Sequence, residues 1–501
     1  MKGCFFLQRR FAPIGCHIAK QLMKYGVDEF CIYTTPRTAY QFLSSQKDLP
    51  ITKILLDEDI YKKYKNEKLD FEYLKWLEKE YGLPNLWHYL YIDRVIMHSQ
   101  LIREYPHDQP LLSYEDMLRV LQVTSKEIIK FLKEEKPDFL FTSVVGSTAS
   151  LLLYHICKKM GVKILSLNYS RIKNGIILTE DYRTFSWANK IFDEIQSGKI
   201  PNPKEKEAKQ FLEEFRNNPQ SYYDAYSPDN LALTTLKQFR FLLPHRFVKL
   251  ATWLSNFFWK NLQKKEKDYT DEIFWYSIWD KIKRKVRMLR GYSDLYSAPD
   301  TQGDYAFYGL HYEPEIALFL YAPFWNDQIN LIKQIAKSLP INFKLLVKEH
   351  PSMVGYRPRK YYKELLKIPN IQLINPNIAG LNLIKNAKLV FSISGGAIWE
   401  AIFLKKPTIT FADVWFNKLS MVKRSDNIEK LPYLVKEQLE NFRHDDRELI
   451  NFIGAILEDS VNANLTKIRE GAESLEAIKH EKGFDDLARL IAKKVGLLPV
   501  K

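Results

Sequence analysis

Residues 391–411 read FSISGGAIWEAIFLKKPTITF. A strand-like run, LVFSIS, stops at Gly395 and Gly396, AIWEAIF continues at helical spacing, and Pro407 opens a second strand-like run, PTITF. Strand, glycine turn, helix and strand in that order predict a βαβ unit of a parallel sheet, with a ligand crevice at the strand carboxyl ends. The glycines remove Cβ atoms that would hold a phosphate away, while the helix start offers free N–H groups and a positive dipole end. Ser392 and Ser394 can add hydroxyl donors, and Glu400, one turn into the helix, can accept from ribose hydroxyls. A turn that merely joins strand to helix is the competing explanation.

The same edge should receive the end of a second strand. FKLLVKEHP (343–351) delivers Lys348, Glu349, His350 and Pro351. A histidine there can donate to a phosphate oxygen and offset its charge as it leaves. HYEPE (311–315) offers Glu313 or Glu315 as a carboxylate that can take a proton, with Lys348 or Arg357 as a cation beside His350, although a solvated loop or a helix start suits that segment equally well. In the first third, Gln8, Arg9 and Arg10 follow a strand, and NYSRIKNGIIL follows the strand VKILSL. By sheet-edge logic Arg10, Arg171 and Lys173 can hold an acidic acceptor glycan or lipid-linked phosphate, although each also suits a solvated loop.

The fold class that emerges is α/β, with two Rossmann-like domains facing a cleft. Residues 1–199 form an N-terminal Rossmann-like acceptor-side domain, 200–300 a helical, basic, aromatic insertion or linker, 301–440 a C-terminal Rossmann-like nucleotide-sugar domain, and 441–501 C-terminal helices. Ser147 should cap the helix after the strand PDFLFTSVV, so that 146–148 line a crevice.

The 75 Lys and Arg against 60 Asp and Glu give a net charge of +15, which favours anionic partners. Four cysteines without CxxC spacing suggest reduced thiols in a cytoplasmic protein, with no metal site and no cofactor beyond a donor substrate. The N-terminus lacks a signal-peptide core, and no apolar run approaches the roughly 20 residues that cross a bilayer. EIFWYSIWDKIKRKVRMLRGY (272–292) reads as an amphipathic basic helix, so 245–290 has the makings of a peripheral contact with an anionic membrane. The alternative is a helix packed on a domain by its apolar face, with its charges in water. No nucleic-acid module is recognisable, and nucleic acid is not an expected partner.

The runs LHYEPEIALFLYAPFWNDQ (310–328), SLPINFKLLVKEHPSMVGYR (338–357), PNIQLINPN (369–377) and FSISGGAIWEAIFLKKPTITFADVWF (391–416) resemble the capsule polysaccharide biosynthesis family of glycosyltransferases. That resemblance implies a GT-B fold and transfer of Kdo from a cytidine monophosphate donor; a CMP-Kdo-like or UDP-linked sugar is the expected donor, and the cytoplasm, at the inner face of the cytoplasmic membrane, the expected location. It makes His350 a ligand of the donor phosphate, and Ser392, Ser394, Gly395 and Gly396 a second phosphate clamp. It also implies a catalytic carboxylate in the loop holding Glu313 and Glu315, where Kdo transferases tend to have Gln and Asp. The Ser-Gly-Gly turn, Glu400 and the Leu-x-x-Pro at 404–407 also resemble the UDP-N-acetylglucosamine 2-epimerases, whose Gly-Thr-Arg-Pro-Glu opening is replaced here by LQRRFAPIG (7–15). A non-catalytic glycan- or membrane-binding protein on the same scaffold is the third alternative.

Overall fold

A computed structural model describes residues 1–9, 11–82, 85–98, 110, 112–143, 145–221, 248, 249, 251–255, 258, 259, 274–463 and 482–499. Its contacts divide into two units: Met1–Met97, Pro110–Glu213 and Asp445–Lys501 form the first, and Glu214–His444 lie in the second. Each is a doubly wound, Rossmann-like α/β unit, as the strand and helix periodicities predict.

In the first unit, β1 (Lys2–Gln8) is flanked by β2 (Glu29–Thr35) and β3 (Ile51–Leu56) on one side and by β4 (Phe139–Thr142), β5 (Lys163–Tyr169) and β6 (Gly175–Thr179) on the other. The first five strands are parallel and β6 is antiparallel to β5. Such a sheet is covered on both faces, which is why Cys4, Phe5, Phe6 and Leu7 form an unbroken apolar run with almost no exposed surface. The helix Phe11–Met23 buries Ile14, Ile18 and Leu22 against this core, and a Cβ on Gly15 would stand 2.2 Å from Leu7 Cδ2. That close approach requires glycine.

The second unit repeats the plan. β7 (Tyr305–Gly309), β8 (Lys344–Lys348), β9 (Ile371–Ile374), β10 (Leu389–Ser392), β11 (Thr408–Thr410) and β12 (Val422–Arg424) are all parallel, in the order β12-β11-β10-β7-β8-β9. The order reverses between β7 and β10, so the topological switch point lies where Gly309 and Ser392 end.

Asp445–Lys501 correct the expected division. They are not a separate set of C-terminal helices. The helix Asp446–Glu458 packs on Ser186–Gln196, with the Phe192 and Phe452 rings 5.2 Å apart, and β13 (Ser460–Asn462) adds an antiparallel strand to β6. The helix Lys482–Lys494 then buries Phe484, Leu487 and Ile491 in the first unit's core. Their apolar stripes have nowhere else to go, and Ile200–Glu213 belong to the first unit as well.

The basic amphipathic helix forms as Phe274–Arg290, but its packing inverts the expected packed alternative. The Arg284 guanidinium stacks 3.8 Å from the Tyr356 ring centroid, and Arg287 donates to the Tyr356 carbonyl. The cationic back of the helix holds the unit, while Trp275, Trp279, Ile282, Val286 and Leu289 are exposed.

Arg357 organises the carboxyl edge of the second sheet. It is fully buried, donates to Glu349, lies 3.2 Å from Glu313, and donates to the His311 carbonyl at 2.6 Å. Tyr362 donates to the other Glu349 oxygen at 2.6 Å, and the Tyr292 hydroxyl donates to the Arg357 carbonyl at 2.9 Å. Burial disfavours the guanidinium charge, yet the two carboxylates overcome this and raise its pKa. Removing the cation alone would leave two uncompensated buried carboxylates. Arg357→Met should therefore lower stability by about 3–5 kcal/mol, measured by chemical denaturation.

Candidate functional site

The switch point is built by the loops after β7 and β10. Gln328, at the start of the helix Gln328–Ser338, pins the β7 loop: its side-chain oxygen accepts from the His311 N–H at 2.8 Å and its amide donates to Glu313. His311 is thereby held against the β10 turn. The Ile393 N–H donates to His311 Nε2 at 3.1 Å, so that nitrogen carries no proton and the ring is neutral. Ser392 Oγ lies 3.0 Å from the same nitrogen and accepts from the Gly395 N–H at 3.0 Å. Burial, then the positive fields of His350 and Arg357, push His311 down to about 3.

The two glycines have different causes. A Cβ on Gly395 would stand 2.8 Å from Ser392 Oγ and 3.0 Å from His311 Cε1, whereas one on Gly396 would meet nothing within 4 Å. Gly395 is demanded by internal packing. Gly396 is exposed at the first position of the helix Gly396–Phe403, and the Gly395 cap contributes no side-chain hydrogen bond. The corresponding helix of the first unit, Thr148–Lys159, is satisfied internally: Ser147 and Ser150 form a capping box and Asp93 accepts from the Thr148 N–H at 3.0 Å. At residues 146–148, which the sequence places along a crevice, Asp93 already occupies the helix start. Among the described residues no capping box closes the second unit's helix start.

His350 follows β8, one strand beyond β7 on the same edge. Its Nδ1 accepts from the Ser352 N–H at 3.2 Å as the cap of the turn Pro351–Met353, which leaves the ring proton on Nε2. Burial, followed by the Lys348 and Arg357 charges, pushes it down to about 4. It is a neutral donor at pH 7. Lys348 ends β8 and is largely buried.

The two candidate bases separate. Glu313 is buried against Gln328 and Arg357, while Glu315 is exposed where the short helix Ile316–Phe319 begins. Arg357, proposed from sequence as a cation on the leaving phosphate, is wholly enclosed. Ser394 is half-buried beside Gly395, and Glu400 accepts from the Ser221 hydroxyl at 2.7 Å. In the first unit, Arg171 and Lys173 are exposed in the β5–β6 hairpin with φ of 60° and 52°, at the carboxyl end of β5. Arg10 lies outside the described residues. The functions of His311 and Gln328 escaped the sequence reading. The one signal was the position of His311 two residues before Glu313. Among the described residues no group of three or more His, Cys, Asp or Glu is arranged to hold a metal ion.

No family model and no curated protein matches the chain. Among solved structures, the KpsC β-Kdo 2,7-transferase of Thermosulfurimonas dismutans is 10% identical, with 74% of this chain and 89% of that chain covered and a TM-score of 0.38. The β-Kdo 2,4-transferase of the same KpsC is 13% identical over 71% and 88%, with a TM-score of 0.34. A UDP-GlcNAc 2-epimerase from Neisseria meningitidis, bound to UDP-GlcNAc, is 13% identical over 91% and 98%, with a TM-score of 0.28. Likenesses at these identities and scores do not assign the chain to a family or an activity.

Two outcomes follow from the geometry. Gly395→Ala should destabilise the protein by about 1–3 kcal/mol through overpacking, whereas Gly396→Ala should leave the melting temperature nearly unchanged and weaken nucleotide binding. Thermal melts with and without nucleotide measure both. The depressed histidines set a pH dependence: the unfolded chain takes up protons near the ordinary value of 6.5 that folded His311 and His350 refuse until about 3 and 4. Their stabilising contribution is complete above 6.5 and is lost as pH falls toward 4. Melts across that window should show the decline, and His350→Asn should flatten it.

Proposed function

We propose that the chain is a glycosyltransferase acting on a nucleotide-activated sugar, with a CMP-Kdo-like or UDP-linked donor. The sugar goes to a growing capsular or other surface polysaccharide, or to its lipid-linked primer, at the inner face of a cytoplasmic membrane. The observation that carries this reading is the exposed Gly396 at a helix start without a side-chain cap, set at the topological switch point. Backbone N–H groups and the helix dipole there favour an anionic group, and the crevice at a switch point is where doubly wound units hold nucleotides.

The remaining roles follow from protonation and exposure. His350, with its proton on Nε2, donates a hydrogen bond to a donor phosphate oxygen, and Lys348 behind it supplies positive field. Strands are spaced about 4.8 Å apart, so β8 and β10 hold their loops about 10 Å from each other, a span suited to the two ends of a sugar phosphate. Glu315 takes the proton of the acceptor hydroxyl as the anomeric carbon is attacked. Glu313 is excluded because its carboxylate is committed to Arg357. Ser394 adds a hydroxyl at the turn, and Glu400 receives the ribose once Ser221 yields its place.

A thermal-shift screen against CMP, UDP, GDP and CDP identifies the nucleotide, since ligand bound to the native state raises its melting temperature. With the donor chosen, His350→Ala and Glu315→Gln should each lower kcat by roughly 100-fold or more, while Glu313→Gln should chiefly lower stability. Absence of a shift with every nucleotide, or undiminished transfer by Glu315→Gln, refutes the assignment. Conversion of UDP-N-acetylglucosamine to its 2-epimer, followed by NMR without an acceptor, would replace it with the epimerase.

A further inference from the structure

We propose that Arg284, Arg287 and Tyr356 are positioning residues for His350, so that the helix Phe274–Arg290 serves the phosphate site by gripping the loop that carries this histidine. The loop leaves β8 at Glu349, ends at Arg357, and turns back on itself at once. The Met353 N–H donates to the His350 carbonyl at 2.8 Å and the Tyr356 N–H to the Met353 carbonyl at 3.0 Å, while Gly355 takes a φ of 84°. Its base is closed by Glu349, where one carboxylate oxygen accepts from the His350 N–H at 2.6 Å and also from Arg357.

That closure fixes the two ends of the loop, and residues 284–294 hold its far side. The Arg284 guanidinium stacks 3.8 Å from the Tyr356 ring centroid, and Arg287 donates to the Tyr356 carbonyl. A Cβ on Gly355 would stand 2.6 Å from Met288 Cγ, so the helix meets the loop backbone with no loop side chain between them. Just past the helix, the Tyr292 hydroxyl donates to the Arg357 carbonyl at 2.9 Å. Arg359 returns the contact by donating to the Gly291 carbonyl at 2.7 Å and to Asp294 at 2.9 Å. Arginine suits both contacts with Tyr356, because its planar group stacks on a ring and its N–H fork reaches a carbonyl.

The grip reaches His350 through a short and rigid path. Met353, which joins the gripped half of the loop to the His350 carbonyl, is wholly buried. The His350 ring is half-buried, with Nδ1 accepting from the Ser352 N–H and the Tyr312 ring 5.9 Å away at 73°. The direction of its Nε2 proton is therefore set by the backbone from 350 to 356. Displacing a donor by about 1 Å is enough to cost a hundredfold in a reaction it assists.

This inference rests on the reading of His350 as a donor to phosphate, and one set of variants separates the two. The His350 ring is followed by NMR across pH in protein carrying 13C-labelled histidine, its signal assigned by loss in His350→Asn. In the parent it should titrate near 4, held down by burial and then by the Lys348 and Arg357 charges. Tyr356→Leu, which changes no charge, should admit water to the ring and move the midpoint up toward the ordinary 6.5. Arg287→Met should do the same. Tyr356→Phe keeps a ring beneath Arg284 and Arg287→Lys keeps a donor, so both should titrate as the parent does. Affinity for the nucleotide found by thermal shift should fall roughly tenfold in Tyr356→Leu and stay near the parent's in Tyr356→Phe. A clamp that only stabilises the fold would lower the melting temperature of Tyr356→Leu and leave the His350 midpoint near 4, and that result overturns the proposal. So does an unchanged nucleotide affinity in Tyr356→Leu. Should Tyr356→Leu not fold, Arg287→Met against Arg287→Lys decides by the same titration. A parent that binds no nucleotide refutes the donor reading, while the titration still decides whether the helix sets the ring.

Discussion

Much of the second unit depends on one buried cation. Arg357 draws the loop after β7, the tip of β8 and the helix Arg359–Leu365 into a single hydrogen-bonded body, through Glu313, Glu349, the His311 carbonyl and Tyr362. A guanidinium suits this position because its planar fork serves several acceptors at once and stays charged when desolvated. The consequence for chemistry is a division of labour among similar residues. Glu313 and Glu349 are consumed by structure, so the exposed carboxylate of the HYEPE segment is Glu315. The same positive charge, added to burial, holds His311 and His350 neutral with their protons on opposite ring nitrogens.

The two units run the same strand order and diverge in how they treat a helix start. In the first, Asp93, Ser147 and Ser150 satisfy the helix Thr148–Lys159 from within. In the second, Gly395 allows His311 and Ser392 to close the turn beneath the helix, and Gly396 stays exposed above it. A helix N-terminus attracts negative charge in either case. Only the first of these two starts is closed by a capping box. The helix Phe274–Arg290 makes a similar exchange on the surface, where cations committed to Tyr356 turn the apolar stripe outward.

A good deal of this was legible beforehand. The strands FKLLVKEH, IQLI, LVFSIS and PTITF, the βαβ opening, and the concentration of Lys348, His350, Glu313, Glu315 and Ser392–Gly396 at one sheet edge all follow from local periodicity and turn chemistry. Periodicity failed where partners are remote. Nothing local marks β13 as a strand of the first sheet, since its partner β6 lies far back in the chain. Nor can hydrophobic spacing say which side of an amphipathic helix will find a protein surface, because Tyr356 decides that from a distant loop.

The amino-acid sequence by itself determined that the chain forms two doubly wound halves and where a phosphate could approach a backbone, because alternation, helical spacing and paired glycines act within a few residues. Tertiary structure alone decided which of those polar groups are enclosed and which are exposed. Glu313, Glu315, His311 and His350 look alike as letters. Burial and the field of Arg357 distinguish them, and both depend on segments that meet only when the sheet has closed.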